Sequence, residues 1–291
     1  MLPVQISMWM VDGLQKDYSF SEGYMRKDLA GLSTINIELT SRCNKNCWMC
    51  GRRKVDSDYP DLALDYGDID FSLLEMIAEQ LPEGIVTQFH SNGEALLYPR
   101  LGDALQLFPN NIRNIVSNGK LLIEKSDEII GNIETLSISI FEGDSESDEQ
   151  YDIIDKFLSL KRQQKPYVTL RLIGDVNTVP YERLGQRIVR RVLHAPMGSF
   201  NYVKRSPTIP EIGICWDFLQ HPCINRKGDF SICVRFDPEK KGVLGNIRTE
   251  TIHDMWYGNK RKGWTALHVA GKREEVPLCS KCEYWGVPIS P

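Results

Sequence analysis

Hydrophobic and polar residues alternate along this chain with two different periods, one typical of strands and one typical of helices, from about residue 34 to about residue 205. Runs with a two-residue period predict strands at 35–40, 85–91, 112–117, 135–141, 167–174 and 199–204. Between them, apolar residues recur at helical spacing over 72–80, 101–108, 121–130, 148–160 and 181–193. Six strands joined by helices predict a parallel α/β sheet, either open and doubly wound or curled into part of a barrel.

The predicted strands carry polar residues on one face, which bears on the choice between these architectures. In the first strand Asn36 and Glu38 alternate with Ile35 and Ile37, and in the fifth strand Arg171 stands between two leucines. A parallel sheet covered by helices on both faces should be apolar on both faces. The polar face therefore favours a barrel interior lined for a ligand. The alternative is a set of exposed edge strands.

Composition and charge exclude several classes of function. The chain has 291 residues, 42% of them hydrophobic and 25% charged, with 35 basic and 39 acidic residues and a net charge of −4. This balance gives no reason to expect a nucleic-acid partner. The sequence contains neither a secretory signal pattern nor the run of about 18 apolar residues that a membrane span needs. We therefore expect a cytoplasmic protein whose eight cysteines are reduced and available for metal binding.

Three cysteines lie directly after the first predicted strand, in the spacing C-x3-C-x2-C: Cys43, Cys47 and Cys50. This position predicts a loop at the carboxyl edge of the sheet, where α/β proteins bind ligands. Three thiolates can hold three irons of a [4Fe–4S] cluster and leave the fourth iron open to a small molecule. A zinc site closed by a distant histidine, or three unrelated thiols, are the alternatives.

With the hydrophobic Met49 before the last cysteine, this spacing resembles the signature of the radical S-adenosylmethionine superfamily. The resemblance implies a partial (β/α)6 barrel over residues 31–206, after an N-terminal extension at 1–30. It also implies that S-adenosylmethionine chelates the open iron of a [4Fe–4S] cluster. A flavodoxin- or ferredoxin-type reductant supplies one electron to the cluster. This electron then cleaves S-adenosylmethionine to methionine and a 5′-deoxyadenosyl radical, which abstracts a hydrogen atom from the substrate.

A tripeptide at the end of the second strand extends the resemblance. Asn92-Gly93-Glu94 is similar to the family motif whose carbonyls and carboxylate receive the methionine ammonium group. Taken alone, Asn-Gly-Glu is also an ordinary turn sequence.

Single polar residues on other strands match further positions of the family. Ser139 on the fourth strand and Arg171 on the fifth match positions that commonly contact the ribose and the carboxylate of the cofactor. His90 and Asn118 are expected to face the same interior, where they would touch cofactor or substrate or serve a structural role.

A second set of cysteines follows the barrel: Cys215, Cys223, Cys233, Cys279 and Cys282. Residues 225–228 predict a hairpin turn with cysteines on the flanking arms. Four thiolates describe a closed site, and both zinc and [4Fe–4S] accept four cysteines.

The surrounding sequence resembles the SPASM/Twitch extension of radical S-adenosylmethionine enzymes. Twelve residues separate Cys215 from Gly228 and four separate Gly228 from Cys233; a helix pattern at 251–256 and a closing C-x2-C follow. The chain resembles the shorter Twitch form, with one auxiliary [4Fe–4S] cluster in a small domain at 207–291. The resemblance implies Cys215, Cys233, Cys279 and Cys282 as its ligands.

Cys223 is the fifth cysteine of this set, and three roles are open for it. In the first role Cys223 replaces Cys215 as a cluster ligand, since it too lies before the predicted turn. In the second role it is a small buried hydrophobic residue, as free cysteines most commonly are. In the third role it donates a hydrogen atom to a substrate radical, as cysteines do in epimerases of the family.

The resemblance implies a two-electron oxidation, in which the auxiliary cluster accepts the second electron from a substrate radical. About thirty residues precede the barrel, which favours a small or sugar-like substrate over a peptide held by a separate domain. Epimerisation or peptide modification through Cys223 is the alternative reaction. A zinc-binding structural or interaction protein is the alternative of another class.

Overall fold

The computed structural model describes residues 29–191, 215–280 and 282. In these ranges nine strands form one sheet. They are β1 (Thr34–Ile37), β2 (Val86–Phe89), β3 (Ile112–Ser117), β4 (Thr135–Phe141), β5 (Tyr167–Ile173), β6 (Arg187–Arg191), β7 (Cys223–Ile224), β8 (Asp229–Ser231) and β9 (Val243–Asn246).

The helices of the described residues lie between the strands and after them. They are α1 (Gly51–Asp58), α2 (Phe71–Gln80), α3 (Leu101–Gln106), α4 (Ser126–Ile129), α5 (Ser147–Lys161), α6 (Val179–Glu182), α7 (Trp216–Gln220), α8 (Ile252–Trp256) and α9 (Asn259–Val269), with short 3-10 turns at Pro60–Leu62, Ala95–Leu97 and Arg273–Glu275. None of the helices within these ranges has the length and apolar character that crossing a bilayer requires.

The sheet has the order β6-β5-β4-β3-β2-β1-β7-β8-β9. Strands β1 to β6 are parallel and each pairs with its neighbour in sequence, as successive β/α units with crossovers of one hand produce. The free edge of β1 pairs in parallel with β7, and β8 and β9 continue antiparallel. An open edge of unpaired backbone groups is a liability, and here the C-terminal strands cover it. The predicted α/β architecture of a partial (β/α)6 barrel with a C-terminal extension is confirmed.

The sixth strand differs from the prediction. The predicted helix at 181–193 is wrong, because the chain forms only the short α6 and then enters β6. Gly185 has a φ of +64°, a conformation that ends a helix. The β-branched Ile188 and Val189 then pair with Leu170 and Arg171 of β5. The strand predicted at 199–204 lies outside the described residues.

Two other helix predictions need correction. The helix predicted at 121–130 is limited to the single turn of α4, preceded by turns. Three helices, α1, α7 and α9, have no counterpart in the predicted set. Helix α1 has the charged sequence GRRKVDSD, which carries little apolar periodicity.

The polar face of the first strand lies inside the protein. Asn36 and Glu38 are 1% and 4% exposed, and Ile35 and Ile37 on the opposite face are fully buried in the main core. The Gln88 amide of β2 donates to Asn36 Oδ1 at 2.7 Å. This polar network across adjacent strands contradicts the alternative of exposed edge strands.

The predicted hairpin is confirmed, with β7 and β8 joined by the turn at 225–228. Gly228 has a φ of +89°, and its N–H donates to the Asn225 carbonyl at 2.9 Å. Hydrophobic residues of the hairpin and of α8, including Phe230 and Trp256, belong to the main core. A separate small core forms around Cys215, Phe218 and neighbouring residues. The C-terminal segment is therefore divided between the barrel core and a core of its own.

Candidate active site

The three-thiol loop, defined by Cys43, Cys47 and Cys50, connects β1 to α1 at the carboxyl edge of the sheet, as predicted. Cys50 N–H donates to the Cys47 carbonyl at 3.0 Å, and the Cys50 carbonyl accepts the first helical hydrogen bond, from Lys54 N–H at 3.0 Å. The last cysteine thus precedes the amino-terminal turn of α1, where helical N–H groups and the helix dipole favour negative charge such as thiolate.

Polar contacts attach this loop to the ends of β3 and β4. Lys45, whose side chain is 4% exposed, forms an ion pair with Asp144. Asn118 donates to Asn44 Oδ1 at 2.8 Å and lies 3.8 Å from Cys43 Sγ. A loop tied at both of these points holds its thiols in place before any ligand arrives, which lowers the entropic cost of binding.

Two thiols of the loop, those of Cys43 and Cys47, are in the protonated form at neutral pH. Burial raises the pKa of Cys43, and it raises that of Cys47 to about 12. Binding of iron would therefore displace protons, as metal binding to cysteine does in general. The donor set fits an iron–sulfur cluster, for which three or four cysteine thiolates are the usual ligands.

Gly93 brings the Asn92-Gly93-Glu94 turn against the three-thiol loop. A side chain at Gly93 would overlap the carbonyl oxygen of Thr40 and lie 2.8 Å from that of Arg42. Glu94 N–H donates to the same Arg42 carbonyl at 2.8 Å. The glycine is therefore required by the close approach of two loops.

Glu94 is 2% exposed, and its carboxylate already has protein partners. It accepts hydrogen bonds from Leu96 N–H at 3.2 Å and from Asn118 N–H at 2.7 Å. Burial raises its pKa. The carboxylate thus joins the ends of β2 and β3 as well as lying near the cysteines.

The other predicted cofactor positions are buried or half-buried. Ser139 is 8% exposed and pairs in register with Arg171 on the neighbouring strand. Met49 is 7% exposed. Burial, followed by the positive charges of Arg171 and Arg235, lowers the pKa of His90 to about 3. Arg235 comes from the C-terminal segment, which therefore lies near enough to the barrel to affect the charge of His90.

A cavity between the barrel and the C-terminal hairpin lies next to these residues. Its walls include Glu38, Ser91, Asn92, Cys223 and Cys233. The Asn92 side-chain amide donates a hydrogen bond to Glu38 Oε2, with Nδ2 2.8 Å away. We call this space the barrel cavity.

Cys223 lies in the wall of the barrel cavity, on β7 opposite Asn36 of β1. It is 5% exposed, and its Sγ is 3.8 Å from Ser91 Oγ. Burial raises its pKa to about 12, so the thiol is protonated at neutral pH. The cysteine therefore faces a polar cavity rather than an apolar core.

Arg52 is a residue of the barrel cavity that the sequence did not reveal. It is 3% exposed, and its Nε and Nη1 atoms are buried without a hydrogen-bond partner among the described residues. Its guanidinium stacks on the Tyr66 ring at 4.4 Å. In the sequence it belongs to the charged run of α1, which is typical of a solvated helix face. Only the fold reveals that this charge is buried.

A second, smaller cavity brings four thiols together. It is lined by Cys215, Cys233, Cys279 and Cys282, and we call it the four-thiol cavity. Cys223 is not part of its wall. The geometry therefore groups Cys215, and not Cys223, with the other three cysteines.

The four-thiol cavity has apolar walls and paired charges. Phe218 and Leu278 supply apolar surface, and Asp217 and Arg235 form an ion pair at 3.0 Å. Burial raises the pKa of Cys279 to about 12 and that of Cys233 well above its ordinary value.

All eight cysteines are free thiols, in the three-thiol loop, at Cys223 and around the four-thiol cavity. In the described part of the chain, no three His, Cys, Asp or Glu side chains are arranged to hold a metal ion directly. His268, in the wall of the four-thiol cavity, is a second residue that the sequence analysis missed. A lone histidine on a helix carries no signal of its own.

Comparison with known proteins identifies an iron–sulfur domain at the C-terminal cysteines. The family model for SPASM, described as an iron-sulfur cluster-binding domain, matches residues 215–283. This match favours iron over zinc for the C-terminal cysteines.

Two of the relatives cover nearly the same length as this chain. An "S-adenosyl-L-methionine-dependent 2-deoxy-scyllo-inosamine dehydrogenase" from Niallia circulans is 23% identical over 262 residues, covering 86% of this chain and 92% of the relative. The crystal structure of BtrN in complex with AdoMet and 2-DOIA is 21% identical, with a TM-score of 0.60, and covers 87% of this chain and 93% of BtrN.

A third likeness is to Streptococcus suis SuiB bound to precursor peptide SuiA, which is 14% identical with a TM-score of 0.57. It covers 80% of this chain and 66% of SuiB. At these identities the two solved structures establish the fold. The family model adds that the C-terminal residues 215–283 match an iron-sulfur cluster-binding domain.

Proposed function

We propose that this protein is a radical S-adenosylmethionine oxidoreductase that oxidises a small, sugar-like substrate by two electrons. The observation that carries the proposal is the presence of two different thiol sites next to one polar cavity, which is lined by Ser41 and Arg52 on the two flanks of the three-thiol loop and by Cys233 of the four-thiol cavity. The three-thiol loop leaves a position for a small molecule, whereas the four-thiol cavity is closed. Similarity to a dehydrogenase over 92% of that relative's length supports the same reaction type.

Cys43, Cys47 and Cys50 are the proposed ligands of the first [4Fe–4S] cluster. Lys45 and Asn118 hold their loop in place, through Asp144 and Asn44 respectively. The fit is supported by the carboxyl-edge position of the loop and by its buried thiols.

The turn at Asn92-Gly93-Glu94 is the proposed site for the methionine group of S-adenosylmethionine, and Met49 is a further proposed cofactor contact. Gly93 keeps the turn in contact with the three-thiol loop. The cofactor carboxylate and ribose are assigned to Arg171 and Ser139, which are register partners on adjacent strands.

Cys215, Cys233, Cys279 and Cys282 are the proposed ligands of a second, auxiliary [4Fe–4S] cluster. When bound, the two clusters and S-adenosylmethionine supply a 5′-deoxyadenosyl radical that removes one hydrogen atom and an acceptor for the second electron. Conversion of an alcohol to a ketone is then balanced by release of one proton. Cys233 lies in the walls of both cavities and therefore connects the auxiliary site to the proposed substrate site.

The barrel cavity is the proposed substrate site. Its carboxylate, hydroxyl and amide groups, from Glu38, Ser91 and Asn92, suit a hydroxylated small molecule. A relative is named for its action on 2-deoxy-scyllo-inosamine, a substrate of this class.

The domain division into 1–30, 31–206 and 207–291 remains a prediction, and so does a flavodoxin- or ferredoxin-type reductant. The pairing of β7 with β1 means that the last two parts share one sheet.

Anaerobic incubation with reductant, S-adenosylmethionine and a panel of aminocyclitols and sugars tests the proposal. We expect 5′-deoxyadenosine and a product lacking two hydrogen atoms, in equal amounts. A colourless, zinc-containing protein, or 5′-deoxyadenosine without any oxidised product across the panel, would contradict it.

Epimerisation is the second candidate, and Cys223 is the observation that favours it. A protonated thiol in the wall of the barrel cavity is suited to return a hydrogen atom to a substrate radical. Likeness in fold to SuiB, whose structure contains a peptide, extends this candidate to peptide substrates. Under this alternative the product of the parent enzyme takes up solvent deuterium. The variant Cys223→Ala loses turnover but still abstracts a hydrogen atom from the substrate. Under the dehydrogenase proposal the oxidised product still forms in Cys223→Ala, without deuterium uptake.

A further inference from the structure

His268 has no polar partner in the described structure although it is completely buried. It lies on α9 near the C-terminal end of the helix and is 0% exposed. Neither Nδ1 nor Nε2 has a hydrogen-bond partner. The ring is held by stacking on Phe218, with centroids 4.4 Å apart and planes 23° from parallel.

The absence of a partner is energetically costly. Burial, followed by the positive charge of Arg273, lowers the pKa of His268 to about 4, so the ring is neutral and carries one N–H donor. A buried donor without an acceptor has lost its hydrogen bonds to water without replacement. Buried polar groups of native proteins almost always have a partner, so an orphan next to a cavity points to a missing ligand.

The cavity beside His268 limits what that partner can be. Its wall contains the four thiols, apolar Phe218 and Leu278, and the charged pair Asp217 and Arg235. The Asp217 carboxylate is already engaged by Arg235 at 3.0 Å and by His221 at 2.8 Å. The acceptors left facing the histidine are therefore the sulfur atoms of the site.

We propose that His268 donates a ring N–H to a sulfur of the auxiliary cluster and is a positioning residue that sets the reduction potential of that cluster. The inference rests on the proposed function of the four-thiol cavity. A hydrogen bond to sulfur stabilises the more negatively charged, reduced cluster, and such hydrogen bonds are among the groups that set cluster potentials. His268 therefore makes the auxiliary cluster a better acceptor for the second substrate electron.

The test isolates the auxiliary cluster by replacing Cys43, Cys47 and Cys50 with alanine in the full chain. The reduction potential is measured by anaerobic redox titration with electron paramagnetic resonance. His268→Phe retains an aromatic ring against Phe218 but removes the donor. We expect a more negative potential, with the ratio of reduced to oxidised cluster at a fixed solution potential lowered roughly fivefold, the equivalent of about one hydrogen bond. His268→Gln, which keeps a side-chain N–H, should recover part of the difference.

The matched control is His253→Phe, the same substitution at a histidine of α8 whose side chain is 55% exposed. It should leave the potential unchanged. A loaded cluster with the same potential in His268→Phe as in the parent overturns the inference. A parent that binds no iron through its remaining cysteines overturns the proposed auxiliary site instead.

A second measurement applies if His268→Phe does not retain its cluster. The parent is labelled with ¹⁵N-histidine and the reduced cluster is examined by pulsed electron paramagnetic resonance. We expect coupling to a histidine nitrogen that persists when His221, the histidine beside Asp217, is replaced by phenylalanine. Absence of coupling, or its loss with His221→Phe, contradicts the inference.

Discussion

The three-thiol loop and the four-thiol cavity differ in what surrounds the sulfur atoms. The loop is tied to the barrel by polar side chains, such as Lys45 and Asn118, and lies close to a polar cavity. The four-thiol cavity has its own small hydrophobic core, which includes Phe218 and Val276. A site that must admit a small molecule has an open side, whereas a site that only exchanges electrons is enclosed.

The two regions also differ in how their buried arginines are paired. Arg235, in the wall shared by both cavities, is paired with Asp217. Arg52, in the barrel cavity, has two buried nitrogens without partners among the described residues. Arg52 is thus a buried charge that is satisfied only in part, by stacking on the Tyr66 ring, and burying a charge costs several kcal/mol unless it is balanced.

The largest effect is expected from Cys47→Ala in the three-thiol loop. Removing one of three ligands should abolish S-adenosylmethionine cleavage and lower the iron content from about eight toward about four atoms per chain, since two four-iron clusters are proposed. Iron analysis and 5′-deoxyadenosine formation check this. Cys223→Ala, outside both thiol sets, should keep the full iron content. An unchanged iron content in Cys47→Ala would contradict a cluster in the three-thiol loop.

The next effect separates the two sites. Cys279→Ala should lose the auxiliary cluster and the oxidised product but still form 5′-deoxyadenosine, because the three-thiol loop is untouched. The neighbouring Ser280→Ala, at an exposed position, serves as the control and should behave like the parent. Oxidised product at the parent rate in Cys279→Ala is the outcome that rejects an electron-accepting role.

Gly93→Ala sharpens the comparison on the open side. The new Cβ would overlap the Thr40 carbonyl, so the turn and the three-thiol loop must move apart. Overpacking of this kind costs about 1–3 kcal/mol, and S-adenosylmethionine affinity should fall as well. Thermal unfolding and equilibrium binding measure the two effects.

Gly263→Ala is the control for this substitution. It lies in α9 with no atom near the added Cβ, and alanine should stabilise the helix by up to about 1 kcal/mol. Equal stability of Gly93→Ala and the parent would mean that the two loops are not in close contact.

Arg52→Met is expected to change stability less than Gly93→Ala does, and with the opposite sign. Without cofactors the variant should be more stable by about 1–2 kcal/mol, since a buried unpaired charge is removed. The loaded enzyme should lose turnover, because the wall of the barrel cavity loses a buried cation. Lys54→Met on the same helix, with a side chain 41% exposed, should change neither quantity. Denaturant unfolding of the metal-free chain decides, and a destabilised Arg52→Met shows that the charge already has a partner.

Much of the fold and of both thiol sites follows from the sequence because their signals are local. The spacing of Cys43, Cys47 and Cys50 after a strand, the alternation in β1 and the hairpin turn ending at Gly228 each lie within a few residues. A loop of a few residues restricts where its thiols can lie, so spacing predicts chemistry.

The tertiary structure decided the features that depend on distant segments. Arg187–Arg191 is a strand because β5 supplies a pairing edge, although its local pattern continues a helix. Cys223 faces the barrel cavity because β7 pairs with β1, almost two hundred residues earlier in the chain. The burial of Arg52 and His268 likewise depends on which segments pack over them. Local spacing specifies which groups are available, but long-range packing determines which of them lose water and need a ligand.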